Sequence, residues 1–134
     1  MNYNYHQEHV AELKTIPENY SIEAAIQNNE IVVSPVLQNN TKRFYEFLSN
    51  YERGLTDKVR IISYGIDNPE VSSRAILEYN GKFFIYTFDS TIPQTLYGDK
   101  IIVKPGSFNS LIYYLVTYDR IEFPIFYIYR FKVK

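Results

Sequence analysis

The chain has 134 residues, a net charge of −1, 46% hydrophobic residues and no cysteine. That length suits one domain with a proper core, and the lack of cysteine excludes disulfides, thiolate catalysis and Cys-ligated metal sites. So small a net charge gives no overall attraction for nucleic acid or an anionic membrane surface, and no apolar run approaches the roughly 20 residues of a membrane span.

Residues 1–19 are polar, with only Val10, Leu13 and Ile16 at a weak helical spacing. The first eight or so are expected to be loosely held, which leaves a partly flexible segment ahead of a single domain over 20–134. The start MNYNYHQEHV lacks the basic and apolar parts of a secretion signal. The expected location is therefore the cytoplasm, or the envelope or exterior if a signal has been removed. Ser21 suits the N-cap of a short helix, Ile22–Asn28, with Tyr20 placed to staple onto Ala25. Asn28-Asn29 can end that helix, because Asn tolerates the left-handed region. Glu30–Ser34 reads as the first strand, ended by Pro35.

The principal helix is Thr41–Arg53. Phe44, Phe47, Leu48 and Tyr51 fall at i, i+3, i+4 and i+7 and form one apolar stripe. Asn39, Asn40 or Thr41 can cap its start, and Gly54 stands where a left-handed residue ends a helix. Val59–Tyr64 follows as a β-branched strand, and Asp67-Asn68-Pro69-Glu70 reads as a turn. Asn80-Gly81 between Ser73–Tyr79 and Lys82–Phe88 is a strong hairpin signal. Residues 89–99 read as a loop, Lys100–Lys104 as a strand, and Leu111–Tyr118 and Ile121–Phe131 as two aromatic strands about Asp119-Arg120. Helix, strand, helix and then strands alone argue for an α+β fold. The expected form is a mainly antiparallel sheet of five to seven strands with the 41–53 helix packed on one face. Phe44, Phe47, Leu48, Tyr51, Val59 and Ile61 are expected to point inward.

Few residues suggest chemistry. His6 and His9 could meet a metal near Glu8 or Glu12, but a polar terminal segment offers no rigid support, and they read as solvated. General acid–base work would then fall to carboxylates, Lys or Tyr. Lys58 and Arg60 share one strand face and could hold an anion with Arg74 or Lys82; a solvated sheet face explains them as well. Asp89 could sit with Asp99 at a carboxylate site, or cap a turn. The tyrosines could stack rings, or fill the core with their hydroxyls at its edge. In the last strand, Phe126 and Ile128 lie opposite Phe123, Ile125 and Tyr127, so both faces are apolar. Two coverings suit Phe126 and Ile128: a second copy or protein partner, or the N-terminal segment through Val10, Leu13 and Ile16. No cofactor motif, phosphate loop or nucleic-acid signature is present, so no cofactor is expected.

Two runs carry a resemblance. They are Tyr20-Ser21-x-Glu23-x-Ala25-Ile26-x-x-Asn29-x-x-Val32-Val33 and Asn40-x-x-Arg43-Phe44-x-x-Phe47-Leu48-x-Asn50-x-x-x-Gly54-x-x-Asp57-Lys58-Val59-Arg60-Ile61-x-x-Tyr64. Leu77-x-Tyr79-x-Gly81 and Tyr86-x-x-Asp89 extend it. Together they resemble the domain of unknown function family 4362, found in small proteins of Gram-positive bacteria, many of them similar to secreted lipoproteins. Such members carry cysteines towards the C-terminus, which this chain lacks. The resemblance implies a bacterial envelope location but no activity. The expected function is a non-enzymatic binding or protein-interaction module, with a hydrolase using a carboxylate pair as the alternative.

Overall fold

A computed structural model describes residues 4–35, 38–65, 71–89 and 91–129, the side chain of Ser72 excepted. The expected turn at 67–70, Ser90 and Phe131 lie outside the described residues. Among those described, the elements run α1 (Tyr5–Leu13), α2 (Ile22–Gln27), β1 (Ile31–Val33), β2 (Gln38–Asn39), α3 (Thr41–Glu52), β3 (Asp57–Tyr64), β4 (Val71–Tyr79), β5 (Phe84–Phe88), β6 (Gln94–Pro105), β7 (Ser110–Thr117) and β8 (Glu122–Tyr129). The fold is α+β with a largely antiparallel sheet.

Its form corrects the expectation from sequence. The sheet has eight strands in the order β2-β1-β3-β4-β5-β6-β7-β8, not five to seven, and it curls into a half-barrel. It is also mixed, because β1 pairs with β3 in parallel through the α3 crossover. Helices cover both faces rather than one. On the concave side α3 lays Phe44 and Phe47 into a core with Ile31, Val33, Val59, Ile61, Leu77 and Phe84, and Leu48 and Tyr51 pack at its margin. On the convex side Leu13, Ile16, Tyr20 and Ala25 from the α1–α2 region bury against Val32, Ile62, Tyr64 and Ile76. The parity of β3 makes this two-sided arrangement possible, since Val59 and Ile61 face one way and Arg60 and Ile62 the other.

The helix ends follow local rules. Ser21 Oγ accepts the Ala24 amide, and Asn29 (φ 60°) ends α2 in the left-handed region. Asn40, also left-handed at φ 59°, starts α3 without a side-chain cap. Its Nδ2 instead donates to the carbonyls of Ile26 and Glu30, tying the α2 exit to the start of α3. Past α3, Gly54 takes φ 74°, with Gly54 N–H on the Tyr51 carbonyl and Leu55 N–H on the Asn50 carbonyl. That pair of bonds is a Schellman ending. The Asn80-Gly81 hairpin is present, shifted by one residue. Asn80 N–H bonds the Phe83 carbonyl, while Asn80 Oδ1 accepts from the Lys82 and Phe83 amides.

The conflict in β8 resolves through a bulge. Tyr113 pairs with Phe126, but its neighbour Tyr114 pairs with Pro124, so Ile125 is the extra residue. Parity flips there. Phe123, three residues before Phe126, therefore shares the concave side, its ring 5.2 Å from Phe88 and 6.0 Å from Tyr86.

Candidate functional site

Three side-chain assemblies on this scaffold have chemical potential, and the largest is a cavity. Where the two ends of the curled sheet approach, an open cavity of roughly 550 Å³ lies between β1–β3 and β7–β8. Val33, Ile61, Ile112, Ile125 and Phe126 give it apolar walls, with hydroxyls from Ser63, Ser110, Tyr127 and Tyr129. No charged side chain lines it among the described residues. Burial first, then a hydrogen bond with Tyr129, pushes the Tyr127 phenol up to about 12, so it stays a neutral donor at physiological pH. Phe108 stands at the rim, 96% exposed and held at φ 55°. A bulky residue in that backbone region is uncommon and strained. Gln38 on β2 spans the gap to β8, its Nε2 donating to the Tyr127 carbonyl at 2.7 Å and its Oε1 accepting the Tyr129 amide at 2.9 Å. One side chain thus stands in for a ladder rung between the outermost strands.

The second assembly is a polar pocket of roughly 350 Å³ lined by Glu12, Asn28, Asn29, Glu30, Arg43, Lys58 and Arg60. Here the structure brings Lys58 and Arg60 together, as their alternation implies, and supplies each with a carboxylate. Lys58 Nζ is 2.7 Å from Glu12, and Arg60 Nη2 is 3.0 Å from Glu30. Burial raises the Glu30 carboxyl, against the pull of Arg60 and a hydrogen bond from Tyr20. Arg43 makes a forked contact with Asp57, at 2.9 and 2.6 Å. Burial alone would raise Asp57, but hydrogen bonds from Arg43, Asn50 and the Lys58 amide outweigh it and hold that carboxyl low.

The remaining site residues go elsewhere. Arg74 pairs with Asp89 at 2.6 Å and also donates to the Ile16 carbonyl, and Lys82 sits on the β4–β5 turn. Asp89 and Asp99 answer to different arginines, Arg74 and Arg120. Phe126 and Ile128 belong to the chain's own concave core, with the Phe126 ring 4.4 Å from Phe44. The helix over Phe126 is therefore α3, while Leu13 and Ile16 bury on the opposite face.

The third assembly corrects the reading of His6 and His9 as solvated side chains. His9 is 1% exposed, its Nδ1 2.8 Å from Thr87 Oγ1 and its Nε2 2.6 Å from Glu78 Oε1. His6 Nδ1 is 2.7 Å from Thr95 Oγ1, which in turn is 2.7 Å from Thr87 Oγ1. A hydroxyl, an imidazole and a carboxylate in line have the look of a nucleophile triad. Thr87, however, is fully buried, with no room for a substrate. No group of three or more potential ligands could hold a metal ion among the described residues.

Fold and cavity together define a class, a curled mixed sheet with an uncharged cavity at its seam. Compared with family models, curated proteins and solved structures, the chain matches none.

Proposed function

We propose that the protein is a non-enzymatic binding module that takes an uncharged, largely apolar small molecule at the seam of the half-barrel. The observation that carries this reading is the cavity itself. Roughly 550 Å³ falls within the usual range for small-molecule sites, and apolar walls with a few hydroxyls match their usual lining. A charged headgroup would lose its hydration there without a partner, so the ligand is neutral, with a hydroxyl or carbonyl for Tyr127 or Ser63. Phe108 supports the same reading, since a ligand filling the mouth would cover a ring that is otherwise bare. An envelope location, implied by the resemblance to family 4362, suits a carrier of such molecules. The test is quenching and displacement of Nile red, a neutral apolar fluorophore, by long-chain alcohols and by their carboxylate counterparts. Saturable binding, displaced by the alcohols and lost in Ile112→Trp with the circular dichroism spectrum unchanged, is the expected result. Equal binding by the Ile112→Trp variant would overturn it.

A carboxylate-pair hydrolase has one observation in its favour: Glu12 and Glu30 line one pocket, and burial raises Glu30. Both are already tied to cations, which leaves neither free to move a proton. A hydrolytic activity abolished by Glu12→Gln and by Glu30→Gln, with the fold kept, would establish that reading instead.

A further inference from the structure

The chain His6–Thr95–Thr87–His9 has three links, from nitrogen to oxygen, oxygen to oxygen and oxygen to nitrogen, all between 2.7 and 2.8 Å. Each link needs one hydrogen. The two threonine hydroxyls supply two, because each carries a single proton. The third must come from one of the two Nδ1 atoms, and only one of them can give it. At the far end, Glu78 accepts from His9 Nε2 and so keeps a hydrogen there.

We infer that His6 and His9 are a single proton-sharing unit, wired through Thr87 and Thr95, in which the protonation of His9 sets the tautomer of His6. With both rings neutral, His9 Nδ1 is an acceptor. Thr87 then donates to His9, Thr95 donates to Thr87, and His6 must carry its hydrogen on Nδ1. One added proton fits in two ways. It can sit on His6 Nε2 with the chain unchanged. It can instead sit on His9 Nδ1, whereupon both hydroxyls turn round, His6 carries its single hydrogen on Nε2 rather than Nδ1, and His6 Nδ1 becomes the acceptor. The added positive charge on His9 faces Glu78. A second proton makes both Nδ1 atoms donors. Thr95, which is only part-buried, then accepts from His6 and from Thr87 and turns its own hydrogen away from the chain, so the three links persist but no proton can be relayed along them. Other charges near this seam are Glu8 and Glu12 on α1, Lys58 and Arg60 on β3, and Arg74 with Asp89 beyond them. Lys58 is held by Glu12, Arg60 by Glu30 and Arg74 by Asp89. Glu78 accepts from the chain directly, at His9 Nε2.

The experiment is a nitrogen-detected magnetic resonance titration of the full chain between about pH 5 and 8, the range in which histidine titrates. At the basic end His6 is expected in its Nδ1–H form, the minority tautomer of a free histidine. On acidification the first proton should register on both rings together, because either can hold it with the links intact. In Thr95→Val the wire is cut at nearly constant shape, so the first proton should no longer register on both rings together and His6 should return to the Nε2–H form. A first proton confined to one ring in the wild type, or an Nε2–H form of His6 at the basic end, would overturn the inference. The wild-type spectra decide by themselves, so a variant that fails to fold does not rescue it.

Discussion

Asp57 pairs with Arg43 and Glu30 with Arg60, and burial acts on both, yet their carboxyls move in opposite directions. At Asp57 the hydrogen bonds from Arg43, Asn50 and the Lys58 amide outweigh desolvation; at Glu30 desolvation outweighs Arg60 and Tyr20. The consequences for stability have opposite signs. For Asp57 the folded state holds its proton less tightly than the unfolded chain. Its stabilisation is therefore complete above the ordinary Asp value, about 3.9, and is lost as pH falls through the lowered folded value. For Glu30 the folded state holds its proton more tightly. Stability then declines as pH rises from the ordinary Glu value, about 4.3, through the raised folded one. Urea midpoints measured across pH are expected to show both slopes. Asp57→Asn should flatten the acid limb and cost about 1.5–3 kcal/mol, the usual worth of hydrogen bonds to charged groups. Glu30→Gln should flatten the limb just above the usual carboxylate range. If both variants keep the wild-type pH profile, the assignment of these two residues is wrong.

Among the elements, α3 was the most legible because its signal is local. Phe44, Phe47, Leu48 and Tyr51 repeat on one stripe, and Gly54 ends it with the expected left-handed turn. Phe47→Ala should cost about 3–5 kcal/mol in a denaturant melt, as for other buried Phe truncations; a near-neutral result would contradict its place under the half-barrel. The helix α1 was hidden for the opposite reason. Its inward face carries a histidine whose partners, Thr87 and Glu78, lie 78 and 69 residues away. Hydrophobic periodicity does not register a polar residue that is buried because distant hydroxyls and carboxylates receive it. The first half of β6 was missed as well: Gln94–Gly98 has no apolar alternation, and Gly98 reads as a turn. Gly98 is glycine for a spatial reason, since an added Cβ would fall 2.2 Å from the Val116 carbonyl oxygen across the β6–β7 ladder. In the polar pocket, only the Lys58–Arg60 half was visible, from strand alternation.

For the whole molecule, strand number and curvature were beyond the sequence. Seven strand-like runs could be found by composition, but β2 is two residues long and has no pattern to read. The curl also depends on register shifts at Ser63/Tyr64, Gly98/Lys100 and Tyr113/Tyr114, and bulges of this kind bend a sheet and increase its twist. Because the cavity exists only where the curl brings β1–β3 opposite β7–β8, it had no local signal at all. Helices on both faces likewise follow from a crossover that makes β1 parallel to β3, and not from any one segment's hydropathy.

The Gln38 clasp has a kinetic consequence. Its two bonds join positions 89 and 91 residues apart, with the six intervening strands laid between them in sheet order. Such a contact repays its loop-closure entropy only after the rest of the ladder has formed, so it belongs to the last act of folding. Gln38→Ala is accordingly expected to raise the unfolding rate while leaving the refolding rate almost unchanged, a phi-value near zero. A refolding limb that slows as much as the unfolding limb quickens would place the clasp in the nucleus instead. Until it shuts, a nearly finished molecule carries an unsealed strand edge, the kind of surface on which chains add to one another. Crowded refolding should therefore lose more of the Gln38→Ala variant to precipitate than of the wild type, even where both are stable once folded.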